Sequence, residues 1–142
     1  MGQYANPNLV FVDFRPKSVQ VEQAYPNATF VQRDILDYLD GDESIPKDGF
    51  DVIIMRNVLS GARQRVQGNP NLILQQIGHI VAQNGLLIID ETLDATDMLY
   101  GQATKAVLEK AGFTVSLSND PSDYHDLSEY HEDAFHIEAR KR

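Results

Sequence analysis

Apolar residues along this chain fall into six short runs, separated by stretches with helical spacing. The runs cover residues 9–13, 29–33, 50–55, 86–90, 113–117 and 134–139. Most are short and rich in Val, Ile and Phe, the form of a β-strand. Between the first two, Pro16 suits the first turn of a helix because its missing N–H costs nothing there, and Pro26 with Asn27 ends that helix after about Tyr25. Behind the second run, Ile35, Leu36 and Leu39 line one side of a short helical turn, and residues 40–49, DGDESIPKDG, have the composition of a surface loop.

The third run, FDVIIM, is β-branched and apolar at successive positions, which predicts a central strand covered on both faces. A helix is predicted from Pro70, capped by Asn69, with Leu72, Ile73, Gln76, Ile77, Ile80 and Val81 on its inward side. Asn84-Gly85 then turns the chain into LLIID. A further helix over about 96–111 is predicted to turn Leu99, Ala103, Ala106, Val107 and Leu108 inward, with Gly112 as its left-handed stop. Strand and helix alternate until the last two runs, which a polar connection joins. Alternation predicts a parallel sheet with helices on both faces, and the final pair is expected to be antiparallel. The fold class is α/β: a doubly wound, mostly parallel sheet with a final antiparallel strand. With no repeat, low-complexity segment or linker, residues 1–142 read as a single domain.

Composition narrows the function. The chain has 142 residues, 42% of them hydrophobic, enough to bury roughly two-thirds of the surface of its unfolded form. Its 21 acidic and 12 basic residues give a net charge of −9, which disfavours duplex nucleic acid or an anionic membrane as partner and suits a small or neutral substrate. The chain contains no cysteine, so a disulfide framework, a thiolate zinc site and a cysteine nucleophile are excluded, and the cytoplasm is the expected compartment. No signal peptide or membrane span is expected. The serines lack the glycine context of a hydrolase elbow.

The order of elements, together with the segments VFVDFRPKSVQVEQA, ATFVQRDI, FDVIIMRNVL, QNGLLIIDE and VLEKAGFTVSLS, resembles class I S-adenosylmethionine-dependent methyltransferases. MRNVL is also similar to the chemotaxis-receptor methyltransferases. The likeness runs from residue 9 nearly to the end. It implies a Rossmann-like methyltransferase domain with S-adenosylmethionine as cofactor and a small-molecule or unknown methyl acceptor. On this alignment residues 9–13 are the family's second strand, so the first strand, glycine-rich loop and first helix are expected to be missing. A βαβ unit needs about 30 residues, and no two of the nine glycines have the spacing of a G-x-G loop.

In the family the first strand lies between the second and fourth, so without it two apolar strand edges are expected to be exposed. Three replacements are open: pairing of residues 9–13 with 50–55, strand exchange in a homo-oligomer, or a partner chain that completes the sheet. A second alignment makes residues 9–13 the first strand, DFRPKS a glycine-free ligand loop and Asp34 the ribose acid, since Asp13 and Asp34 have about the dinucleotide-fold spacing. Against it, Phe14, Arg15 and Lys17 carry side chains where backbone must approach a ligand.

The resemblance places Asp13, followed by Phe14, where the family's acid accepts hydrogen bonds from the ribose hydroxyls. A helix-capping role for Asp13 ahead of Pro16 competes. Asp34 and Ile35 correspond to the adenine contact, with a turn cap as the alternative for Asp34. Arg56 and Asn57 follow the third run at the rim where such sheets bind ligands and would face methionine or substrate; Asp90 and Glu91 hold the equivalent place after the fourth run. The segment DYHDLSEYHEDAFH brings His125, His131 and His136 among five carboxylates, but its irregular spacing makes it a solvated connection rather than a metal site. The expected function is a methyltransferase-like domain that binds cofactor poorly without a missing segment or partner. The alternative is a non-catalytic binding or assembly module derived from such an enzyme.

Overall fold

Val10–Asp13 (β1) and Thr29–Gln32 (β2) pair in parallel, Val10 beside Thr29 and Asp13 beside Gln32. The computed structural model describes residues 10–13, 16, 18–26, 28–56, 58–59, 70–91, 100–118 and 134–142, which fall in two compact units, Met1–Ser44 and Ile45–Arg142. In the first unit, Val19–Ala24 (α1) connects the strands, shorter than the 16–25 span predicted. Tyr25 at its end packs on Phe11, ring centroids 5.3 Å apart.

Ile35–Leu39 (α2) follows β2 directly. Arg33 fixes the loop beyond it, donating through Nη1 to Asp42 at 2.9 Å and through Nη2 to the Asp37 carbonyl at 2.8 Å. Three anchors from one guanidinium, counting a bond to the Gly41 carbonyl, make this polar loop an ordered turn. The amide and hydroxyl of Ser44, then Arg33, hold the Asp42 carboxyl below its ordinary pKa. Buried Tyr38 shares a 2.7 Å hydrogen bond with the Ser44 hydroxyl; burial, the larger influence, raises its pKa.

Among the described residues the second unit has a four-stranded sheet and two longer helices. Its elements are Phe50–Arg56 (β3), Pro70–Ile80 (α3), Val81–Glu91 (β4), Tyr100–Lys110 (α4), Phe113–Ser118 (β5) and Phe135–Lys141 (β6), with strand order β3-β4-β6-β5. β3 and β4 are parallel, and β6 runs antiparallel to both its neighbours, as predicted for the final strand. Ile73, Leu74, Ile77, Leu87, Ile89, Leu108, Phe113 and Ile137 form the core. Gly112, at φ +99°, ends α4 as predicted, its N–H bonded to the Glu109 carbonyl. Gly49 is required by space as well as by its φ of +86°, since a Cβ would lie 2.8 Å from the Ala82 nitrogen and the Ile80 oxygen.

Two expectations are corrected. β3 is an edge of its sheet among the described residues, not a central strand, and it leaves Val52 and Ile54 exposed. Among the described residues β1 pairs with β2 inside the first unit, and β3 with β4 inside the second. In α4, Ala103 and Ala106 face solvent, and Gly101, Thr104 and Leu108 are buried. Alanine is too small to orient a helix. The orientation is set by Leu108 and by the close approach at Gly101, where a methyl would sit 3.1 Å from Leu117 Cδ1 and 3.4 Å from the Phe135 side chain. Leu9, the Asn69 cap and Leu99 lie outside the described residues.

Candidate functional site

In the first unit the parallel pairing of β1 and β2 puts Asp13 and Asp34 at the same, carboxyl, end of the strands, and the Arg33 N–H donates to the Asp13 carbonyl at 3.0 Å. Asp34 is half-buried in extended backbone, and its Oδ1 accepts the Leu36 N–H at 3.1 Å. The capping role anticipated for it is therefore realised, and an adenine contact would share this carboxylate. Ile35, also half-buried, is the apolar residue beside it. Phe14 lies outside the described residues.

In the second unit Arg56 closes β3 and is exposed, with Asp90 as its Cα partner on β4; Asn57 lies outside the described residues. Asp90 and Glu91 are adjacent but serve opposite faces of the sheet. Glu91 is 3% exposed, and its Oε2 accepts the N–H of buried Leu59 at 3.1 Å, tying the chain after β3 to the end of β4. Asp90 Oδ1 lies 2.6 Å from His136 Nδ1, and His136 Nε2 lies 3.0 Å from Glu138 Oε2. Burial opposes charge on this ring, but the hydrogen bonds and fields of Asp90 and then Glu138 prevail, so its pKa is raised above the ordinary imidazole value.

The His136 cluster was missed at the sequence level because Asp90 lies 46 residues from His136 and reaches it only through the β4–β6 register, although Glu138 is two residues along the same strand. It does not make a metal centre, since the two ring nitrogens address different carboxylates and cannot converge with them on one ion. Among the described residues no three such side chains are arranged to hold a metal ion. His125 and His131 lie outside them.

The fit to S-adenosylmethionine is partial. Asp13, Asp34 and Ile35 stand at the carboxyl ends of β1 and β2, the positions to which the resemblance assigned ribose and adenine contacts, and the described residues offer no close pair of glycines where backbone could enclose the methionine half. No methyl-transfer step is derived from these residues.

No protein-family model and no curated sequence relative matches the chain. Solved structures do. The N-methyltransferase NodS of Bradyrhizobium japonicum, in complex with S-adenosyl-L-homocysteine, superposes over 95% of this chain with a TM-score of 0.61 at 15% identity. The precorrin-6y C5,15-methyltransferase of Geobacter metallireducens does so over 96% with a TM-score of 0.58 at 15% identity. A third likeness, at TM-score 0.60 and 11% identity over 95% of this chain, is to the complex between the Haloferax volcanii Trm112 methyltransferase activator and a methyltransferase. The chain spans 66%, 69% and 73% of these three. With the pairing of β1 and β2, the order β3-β4-β6-β5 and the antiparallel last strand, these likenesses give the chain the fold of class I S-adenosylmethionine-dependent methyltransferases.

Proposed function

We propose that these residues form a single methyltransferase-like domain, incomplete at its amino-terminal side, whose cofactor pocket is finished by a strand and glycine-bearing loop from outside them. What supports this reading is that, among the described residues, β1 in the first unit and β3 in the second each have one partner strand within their unit; on the alignment given above they are the family's second and fourth strands. In the finished pocket Asp13 and Phe14 hold the ribose, Asp34 and Ile35 hold the adenine, and Arg56 and Asn57 face methionine or the methyl acceptor, a small molecule. Alone, the chain binds S-adenosylmethionine poorly, because loop backbone and a helix N-terminus are what enclose the methionine half of such a ligand.

An activator accompanies the Haloferax methyltransferase, and a partner chain or a second copy that pairs with the open edges is proposed here too. A non-catalytic assembly module is the second reading, favoured by the exposed Val52 and Ile54. The cysteine-free composition supports a cytoplasmic location; among the described residues no helix is long and apolar enough to cross a membrane.

The test is calorimetric titration of the chain with S-adenosylmethionine and S-adenosylhomocysteine, alongside light scattering. Weak or undetectable binding by a chain that self-associates or needs a partner is expected. Tight binding by a stable 16.0 kDa monomer would sink the reading and restore DFRPKS as the ligand loop. If binding returns when the missing strand and loop are supplied, the assembly-module alternative fails.

A further inference from the structure

The ends of β1, β2 and α2 converge on Arg33. Its N–H donates to the Asp13 carbonyl at 3.0 Å, and the next residue is Asp34, whose carboxylate caps α2 through the Leu36 N–H. Its guanidinium reaches the other end of that helix. Nη1 donates to Asp42 Oδ2 at 2.9 Å and to the Gly41 carbonyl at 3.2 Å, and Nη2 donates to the Asp37 carbonyl at 2.8 Å. Asp42 is held a second time, its Oδ1 accepting the Ser44 N–H at 2.9 Å. All of these residues lie in the first unit.

α2 has five residues, far below the length of about 12–15 at which a helix holds itself in water, so its direction is set by what ties it down. Tyr38 is its buried residue, and the ring hydroxyl goes to Ser44, in the same turn that Arg33 grips. The Arg33–Asp42 ion pair is partly exposed and worth little to stability by itself. What the planar fork supplies is geometry, since it spans a carboxylate and two carbonyls that one ammonium would not reach together. Asp34 and Ile35 stand where the chain passes from β2 into α2, so the direction of the Asp34 carboxylate follows that of the helix it caps.

We propose that Arg33 is a positioning residue for the adenine edge of the pocket: by fixing α2 and the turn beyond it, the guanidinium aims the Asp34 carboxylate and so selects a purine that carries a 6-amino group. This rests on the reading of Asp34 and Ile35 as the adenine contact. It does not require the guanidinium to touch the ligand.

The test is an amide chemical-shift titration of the full chain with adenosine, which lacks the methionine half and makes no demand on the missing loop, and with purine riboside, which lacks the 6-amino group. Both are neutral, so the charge of Arg33 exerts no direct pull on either. In the parent, saturable shifts at Asp34 and Ile35 are expected, with adenosine bound about tenfold or more tighter than purine riboside, the worth of one hydrogen bond to a carboxylate. Arg33→Ala should reduce that preference to about threefold or less, and Asp42→Ala should reduce it part of the way. Arg33→Lys should not restore it. Glu43→Gln, an exposed position in the same turn, should leave it within about twofold.

A general loosening of the fold would weaken both nucleosides by one factor, and an unchanged preference in Arg33→Ala therefore overturns the proposal. So does an Asp42→Ala chain that keeps the full preference, because the guanidinium would then act on the ligand itself; this variant also decides the matter if Arg33→Ala does not fold. A parent that binds no adenosine sinks the adenine reading and the proposal together, whereas a parent that prefers adenosine and variants that do so equally sink the proposal alone.

Discussion

Replacing Glu91 separates a structural role from the ligand-facing role its place at the end of β4 suggests. Its carboxylate is 3% exposed and accepts the N–H of Leu59, itself 3% exposed. Glu91→Ala removes a charge-assisted hydrogen bond and strands a buried donor, a loss of about 1.5–3 kcal/mol. The deleted side chain also takes a buried methylene with it, about 0.8 kcal/mol more. The total is roughly 2–4 kcal/mol, a large share of a domain stability of about 5–15 kcal/mol. Glu91→Gln keeps shape and acceptor and should cost only about 1 kcal/mol, the neutral-bond value.

Urea denaturation followed by circular dichroism measures both. With a slope of about 1–3 kcal/mol per molar, the alanine variant should unfold at a midpoint at least about 0.7 M lower, with glutamine between it and the parent. Glu138→Ala, in an exposed position, is the control and should move the midpoint little. A Glu91→Ala midpoint equal to the parent's would refute the structural role and return the residue to the list of ligand contacts.

Two further outcomes are expected. Because the folded pKa of His136 is raised, its contribution to stability is complete below the unfolded value of about 6.5 and is lost as pH rises through the higher folded value; the stability gap between the parent and His136→Asn should therefore shrink with rising pH above neutrality, and a gap that widens contradicts the clamp. In a protein whose pocket has been completed, Asp13→Ala should weaken S-adenosylmethionine by about 1.5–3 kcal/mol, whereas unchanged affinity by calorimetry leaves Asp13 as a helix cap.

Patterns that depend only on local chemistry were legible in the sequence. The short apolar runs, Gly112 as the left-handed stop and Asp34 as a cap are each decided within a few residues; all six runs form strands, although the fourth strand begins at Val81 rather than after the turn expected at Asn84-Gly85. What the chain did not disclose is long-range. FDVIIM reads as central because both its faces are apolar, yet a strand's own residues cannot say whether a neighbour is present, and among the described residues β3 is an edge. The inward face of α4 was misjudged because alanines carry little directional information, and the fit of Gly101 against Leu117 and Phe135 needed the tertiary structure. Asp90 meets His136 only once the β4–β6 register is known.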